Sequence, residues 1–377
     1  PCGHLLDFHE GSIRSVMEKA AQELDFDEKF ARYSAQNKDG RRIRRGGGIA
    51  VSMRGASIGA DGNGFDVARA FIEVLDDGSV NVDLGLTELG QGLRTGQSQR
   101  LAEGLGGSFE RICFGHTDTS RSPATGACIA SRSTLLGGGA LKDASVKVQA
   151  IMARALARKF GKPTDGIVFR EDRVRFADVD ISFGEAAKIC YDLCETPIAV
   201  GTYVVPRLNW NEKEGYGEPF YTYTYSCHAA EVEVDMDTGG VEVVKMVGCH
   251  DMGRAINPAM AKGQIYGGLA MAQGMALTED LGHNDKTSQL KNLNFEDYLI
   301  PTILDVPDSN QPILDEHVDP RSAFGGRSLG EPATEPGAGA ILCAVNHALG
   351  KPGLIRELPA DLDRVFAAIR SMEGREA

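Results

Sequence analysis

The order in which apolar and polar positions alternate divides the chain into strands and helices that recur in one sequence. Ser12 is placed to cap a helix in which Ile13, Val16, Met17 and Ala20 share a face, and a second short helix is expected over 25–35. The basic stretch 38–45 reads as a solvated connector, leading through Gly46, Gly47 and Gly48 into a strand at 49–53. Two alternating runs, 68–75 and 80–86, flank Asp76-Asp77-Gly78, a turn that accepts positive φ, and so predict a hairpin. The second run feeds Thr87-Glu88-Leu89-Gly90-Gln91-Gly92, after which Leu101, Ala102 and Leu105 mark a helix. The same order returns downstream. Runs at 230–235 and 241–247 flank Met236-Asp237-Thr238-Gly239, followed by His250-Asp251-Met252-Gly253 and a helix holding Gly263-Gln264.

Hairpin, glycine-bearing turn and helix thus form an internal repeat. The expected fold is α+β, with two packed halves whose glycine turns face one cleft. N-terminal helices and connector occupy 1–45, the first half 46–165 and the second 166–377. A long helix is expected at 140–160, preceded by Gly137-Gly138-Gly139, and two final helices at 338–349 and 360–372. Pro301, Pro307 and Pro312 deny regular structure to much of 282–326. Phe295, Tyr298 and Ile300 make that stretch a binding or interface loop rather than a disordered one.

Composition narrows the functional classes. The 377 residues are 42% apolar and 25% charged, with no run of about 18 apolar residues that would predict a membrane-spanning helix. The net charge of −13 disfavours nucleic acid as a partner. Of eight cysteines only Cys190 and Cys194 lie close together, and no Cys-x-x-Cys pair suggests a zinc or iron-sulfur site. Free thiols in a reducing, cytoplasmic setting are expected. The start, Pro1-Cys2-Gly3-His4, has neither an initiating Met nor a signal-peptide layout, so processing or truncation is expected there. Glycine stands out: 46 residues, well above the roughly 7% of average usage, clustered where backbone must turn or approach something closely.

Three constellations carry candidate chemistry. Gly90-Gln91-Gly92, between strand and helix, frees backbone N–H groups for an anionic or polar ligand, while Gln91 offers a donor and an acceptor. A tight turn with a solvent-facing Gln has the same spelling. The run Thr125, Gly126, Ala127, Cys128, Ile129, Ala130, Ser131, Arg132, Ser133 is small and hydroxyl-rich, suited to wrapping a phosphate or pterin, or equally to a polar surface loop. Walker-type phosphate binding is excluded because no Gly-Lys-Ser/Thr follows. Gly330-Glu331-Pro332 precedes a helix, where a carboxylate is stabilised as the anion and available as a base. Glu335, nearer the helix, suits the plainer role of serving the dipole. His116, His228 and His250 lack metal-site spacing and read as structural or solvated, and Cys128 reads as a packed thiol without an activating neighbour.

In this order, Thr87 to Leu93, the 125–133 run, the Asn257-Pro258, Gly263-Gln264, Gly267-Gly268 helix and Gly330-Glu331-Pro332 resemble the xanthine dehydrogenase and aldehyde oxidase family of molybdenum hydroxylases. The resemblance runs from about residue 11 to 349 and corresponds to the C-terminal of that family's two molybdenum-binding domains. It implies a molybdopterin cofactor, usually a cytosine dinucleotide in bacteria, held by Gly90, Gln91, Gly92, residues 125–133, Gln264 and Gly330. No protein side chain ligates the metal. Glu331 would be the general base in hydroxylation of an electron-poor carbon, with water as the oxygen source.

An N-heteroaromatic substrate of the purine or nicotinate type is implied, with aldehyde oxidation and hydroxybenzoyl-CoA reduction as alternatives. Electrons would pass to [2Fe-2S] and FAD on partner subunits. The family's other molybdenum-binding half is absent from this sequence, so the chain is expected to be either a fragment or, as favoured here, a naturally split subunit completed by a second molybdopterin-binding subunit. Leu329, before Gly330, is a modest departure bearing on packing. A cofactor-carrying scaffold is the competing reading, which the retention of Glu331 disfavours. A stand-alone hydrolase using Glu331 or Cys128 lacks activating groups.

Overall fold

The computed structural model describes Gly3 and residues 13–60, 62 and 64–374. In chain order, helices α1 (Ile13–Leu24) and α2 (Phe26–Gln36) lead into the long strand β1 (Ile43–Gly55). Then follow β2 (Val67–Val74), β3 (Val80–Leu84), α3 (Leu93–Leu105), β4 (Ile112–Phe114) and α4 (Ser133–Phe160). A small three-stranded sheet, β5 (Val168–Arg170), β6 (Arg173–Phe176) and β7 (Val179–Ser182), precedes α5 (Phe183–Asp192) and β8 (Ile198–Val204). A two-stranded ribbon, β9 (Trp210–Asn211) with β10 (Tyr216–Gly217), separates these from β11 (Tyr223–Asp235), β12 (Val241–Asp251) and α6 (Pro258–Leu277). The chain ends with β13 (Gln311–Asp315), α7 (Gly337–Leu349) and α8 (Leu362–Met372).

The repeat read from the sequence is the organising feature. One sheet has the order β4-β3-β2-β8 and the other β13-β12-β11-β1. In each, an antiparallel hairpin (β2-β3, β11-β12) is extended by a parallel strand (β4, β13) reached through a crossover helix (α3, α6). The fourth strand pairs antiparallel with the first hairpin strand and supports a long helix: β8 under α4, β1 under α7. The second unit is therefore permuted, because β1 comes from the N-terminal side of the first. The halves are not consecutive in sequence. The boundary expected after residue 45 falls inside β1, and that after 165 falls within one core, which joins Leu156 of α4 to Val174 and Phe176 of β6.

Glycine makes the equivalent fourth strands possible. A Cβ on Gly46 or Gly48 would collide with the carbonyl oxygens of Ala344 or Ala340 in α7, and one on Gly201 with that of Ala140 in α4. The helices lie directly on bare strand backbone. This is why β1 runs through its three glycines from Ile43 rather than starting at 49, and why part of the supposed connector is strand: Arg42 reaches Asp235 at 2.8 Å and Arg45 pairs with Glu233. Likewise Gly137, Gly138 and Gly139 lie buried inside α4 rather than before it, Gly139 making room for the Tyr203 ring.

Elsewhere the pattern translates directly. β2 alternates strictly, burying Ala68, Ala70, Ile72 and Val74. On α1 the buried stripe is Val16, Ala20 and Leu24, while Met17 turns outward at 40% exposure. The expected cap Ser12 lies outside the described residues. Asn257 caps α6 by accepting from Met260 N at 3.0 Å, with Pro258 following. Residues 223–229 of β11 extend the strand expected at 230–235, because both faces are covered and no alternation marks them. Among the described residues no helix is long and apolar enough to cross a membrane.

Candidate active site

The glycine turns of the two repeats and the segments before α4 and α7 meet at a cleft of about 470 Å³. Of the expected residues, Gln91, Gly92, Cys128, Ile129, Ala130, Ser131, Ser133, Gln264, Gly330 and Glu331 line it. Gly90, Thr125, Gly126, Ala127 and Arg132 do not line it: Thr125 and Arg132 are buried, and Gly90, Gly126 and Ala127 are exposed outside it.

Arg132 is a brace. Its buried guanidinium donates to the carbonyls of Ala127, Phe65 and Thr125, closing the 125–132 loop on itself. The loop's last two lining residues, Ala130 (φ 53°) and Ser131 (φ 47°), are both left-handed. Consecutive non-glycine residues in that region are strained, and the surrounding bonds hold them: Ser57 N donates to Ala130 O at 2.9 Å. The result aims Ser131 at the turn before α7. Its Oγ donates to Glu331 Oε2 at 2.8 Å and accepts from Glu331 N at 3.0 Å.

Arg54, from β1, completes this cluster. Its Nη2 lies 2.8 Å from Glu331 Oε2 and its Nη1 3.2 Å from Glu335 Oε1, so one guanidinium bridges both carboxylates of the turn. Glu335 also accepts from Ser52, so neighbouring side chains hold it, not the helix dipole alone. With both contacts on Oε2, Glu331 Oε1 is free of partners among the described residues.

The glycine turn of the first repeat differs from expectation. Gln91 does not offer its amide to the cleft: Nε2 donates to Thr87 O at 2.9 Å, and Oε1 accepts from Leu89 N. Nor are the turn's amides free. Glu88 accepts from Gly90 N at 2.9 Å and from Gly92 N and Arg94 N at 3.0 Å, sitting where an anion would cap α3. Burial works to raise the Glu88 pKa, but these amide donors outweigh it and keep the carboxylate below its ordinary value. The Gln264 side chain, by contrast, lines the cleft with no hydrogen-bond partner among the described residues.

Half-buried Cys128 accepts at Sγ from Thr87 N at 2.9 Å and has no hydrogen bond to a basic side chain among the described residues. His228 and His250 are fully buried rather than solvated, their Nε2 atoms 2.9 Å apart. Burial drives His228 down to about 3, and burial with the neighbouring ring drives His250 well below the usual range.

Sequence reasoning missed Arg54, Arg100, Arg254, Met260, Arg327 and Ser328, and took Asn257 only as part of a motif, not as a site residue. Except for Arg54, which acts from behind Glu331, all line the cleft. One signal was available: Gln97 and Arg100 fall on the same stripe of α3 as Leu93 and Leu101, polar residues at positions that a plain core helix would fill with apolar ones. Arg327 is set by a buried network, 3.0 Å from both Asp251 and Asp319. Among the described residues no group of three or more His, Cys, Asp or Glu is arranged to hold a metal ion.

A two-unit α+β fold with a small-residue cleft between repeats defines a class, that of molybdopterin cofactor-binding domains. The model of that domain matches residues 19–307, and the chain belongs to this family, within the molybdenum hydroxylases of the xanthine dehydrogenase and aldehyde oxidase type. The chain is similar to the nicotine 6-hydroxylase large subunit of Paenarthrobacter nicotinovorans, 28% identical over 384 residues, covering 97% of this chain and 45% of that one. It is also similar to the xanthine dehydrogenase molybdenum-binding subunit of Escherichia coli O157:H7, 27% identical over 360 residues, covering 95% and 46%. Among solved structures, quinoline 2-oxidoreductase from Pseudomonas putida 86 superimposes with a TM-score of 0.83 at 26% identity, over 96% of this chain and 46% of that one. The chain spans less than half the length of these relatives.

Proposed function

We propose that this chain is the cofactor-holding, base-bearing half of a molybdenum hydroxylase acting on an electron-poor carbon of an N-heteroaromatic ring. The observation that carries this reading is the Ser131–Glu331 contact. It fixes a carboxylate with one unpartnered oxygen at the edge of a cleft whose walls fit an anionic pterin. The fit rests on the walls themselves: Arg100 Nε and Ser328 Oγ are buried without partners, and three arginines face a single carboxylate.

Gln264, Ser133 and the backbone at Gly92 and 128–131 would hold the pterin, with Arg132, Thr125, Gly126 and Ala127 bracing that backbone and Gly330 leaving room before the base. When bound, the cofactor would supply two-electron redox chemistry and Lewis-acid activation of water. Glu331 Oε1 would be the proton acceptor at the edge of the cleft, with Arg54 and Ser131 keeping the carboxylate from swinging away. Gln91 and Glu88 shape the turn facing the cofactor.

The heteroaromatic substrate is supported by the names of the nicotine and quinoline relatives. The cytosine dinucleotide form and the [2Fe-2S] and FAD partners follow from the family resemblance, as does a second molybdopterin-binding half, which the shortfall in length also favours. The unpaired cysteines among the described residues fit a cytoplasmic setting. A direct test is elemental analysis of the natively purified complex. Molybdenum in proportion to this chain, with iron on another chain, supports the assignment; an intact complex without molybdenum leaves the fold and removes the chemistry.

A further inference from the structure

Three arginines line the cleft, and the molecule supplies counter-charges to two of them. Arg254 is 2.8 Å from Glu103, and Arg327 is held between Asp251 and Asp319. Arg100 has no ion pair among the described residues, although it is 4% exposed. Its Nη1 donates to Thr134 O at 2.8 Å and lies 3.5 Å from Gln97 Oε1, while Nε is buried without an acceptor. Nη2 has no hydrogen-bond partner among the described residues. It packs beside Gly326, where a Cβ would stand only 2.9 Å away, so the glycine leaves room for the guanidinium at the cleft wall.

Burial lowers the Arg100 pKa to about 10, which still leaves a cation at neutral pH. A buried cation without a counter-charge is strongly unfavourable, and this chain has 53 carboxylates from which one was not placed there. Glu103, three residues on, makes its ion pair with Arg254 and offsets the burial of Arg100 only partly, from a distance. The neighbouring wall adds to the positive field: Ser133 and Thr134 are the first residues of α4, a 28-residue helix whose N-terminal end lies against the guanidinium.

We propose that Arg100 is the receptor for an oxyanion, a phosphate or carboxylate group carried into the cleft by the cofactor or the substrate. The missing counter-charge arrives with the ligand, and the guanidinium edge matches the planar geometry of such groups. This rests on the cleft being the cofactor and substrate site.

The test uses the complex of this chain with its partner subunits, prepared both free of cofactor and loaded. Inorganic phosphate and benzoate are titrated calorimetrically into the cofactor-free wild type, Arg100→Leu, Arg100→Gln and Arg100→Lys. Wild type is expected to bind phosphate, with Leu and Gln weakening it at least about tenfold and Lys retaining most of the affinity. Should the Leu variant fail to fold, the Gln variant, which keeps a polar head, carries the comparison.

In the loaded complex, loss of phosphate binding together with depleted molybdenum in the variants assigns the anion to the cofactor. Persistent benzoate binding, with an increased KM and unchanged molybdenum in the variants, assigns it to the substrate. No anion binding by wild type, or equal binding by wild type and the Leu and Gln variants, overturns the proposal. Molybdenum content of the wild type, read independently, decides the cofactor assignment itself.

Discussion

Ser131 and Glu331, 200 residues apart, exchange two hydrogen bonds: the serine hydroxyl donates to the carboxylate and accepts from the glutamate's own N–H. They belong to equivalent places in the two repeats, the segments leading into α4 and α7, so the pseudo-symmetry of the fold brings them together.

Replacing Glu331 by Gln keeps the volume and the contact with Ser131 but removes the proton acceptor. Turnover in the loaded complex is expected to fall by about two to four orders of magnitude with molybdenum content unchanged. Steady-state kinetics beside metal analysis checks this. Undiminished turnover would remove Glu331 from the mechanism.

The buried His228–His250 pair makes stability depend on acid. Both histidines have folded-state pKa values below the unfolded value of about 6.5, so below that pH the unfolded chain binds protons that the folded chain refuses. Stability from this source is fully present above pH 6.5 and is lost as pH falls toward the folded values. The limiting slope is about 1.4 kcal/mol per pH unit for each histidine. Urea unfolding between pH 7 and 4.5 is expected to show this loss, and His250→Gln to show about half of its slope. Identical slopes in both proteins would mean the pair is not the acid-sensitive element.

The bare strands under α4 and α7 predict an unusual intolerance of alanine. Gly46→Ala, Gly48→Ala and Gly201→Ala each force a methyl into a helix carbonyl, and a loss of about 1–3 kcal/mol or more is expected. Gly263→Ala, on exposed α6 surface with nothing within 4 Å, is expected to gain up to about 1 kcal/mol through helix propensity. Thermal denaturation of the four variants separates close packing from a general preference for glycine.

The segment at 282–309 exposes Leu293 (78%), Phe295 (79%), Ile303 (86%) and Leu304 (93%). Such a cluster favours contact with a partner chain. Leu304→Asp combined with Phe295→Asp is expected to reduce co-purification of partner subunits by at least about tenfold while leaving this chain's circular dichroism unchanged. Full retention of partners would place the interface elsewhere.

The sequence by itself determined the hairpins, the helices with a single buried stripe and the ordered motifs of the cofactor cleft, because each is written in local periodicity or in adjacent residues. Ala68, Ala70, Ile72 and Val74 alternate whatever lies above them. Gly330-Glu331-Pro332 likewise stands as one turn. The tertiary structure decided what depends on distant partners. It made strand of Gly46 to Gly48 because α7 lies on them, and helix of Gly137 to Gly139 because Gln97, Arg100 and Tyr203 crowd that turn. It also set the true division of the halves, since β1 pairs with β11 across some 180 residues. In the cleft, motif spelling could not show that Glu88 occupies the amides of the glycine turn or that Gln91 folds back on it. Nor could it show that Arg54 pins Glu331 or that Arg100 lacks a counter-charge. Each is a matter of which charge or donor arrives from elsewhere in the chain, and that is fixed only when the repeats close on one another.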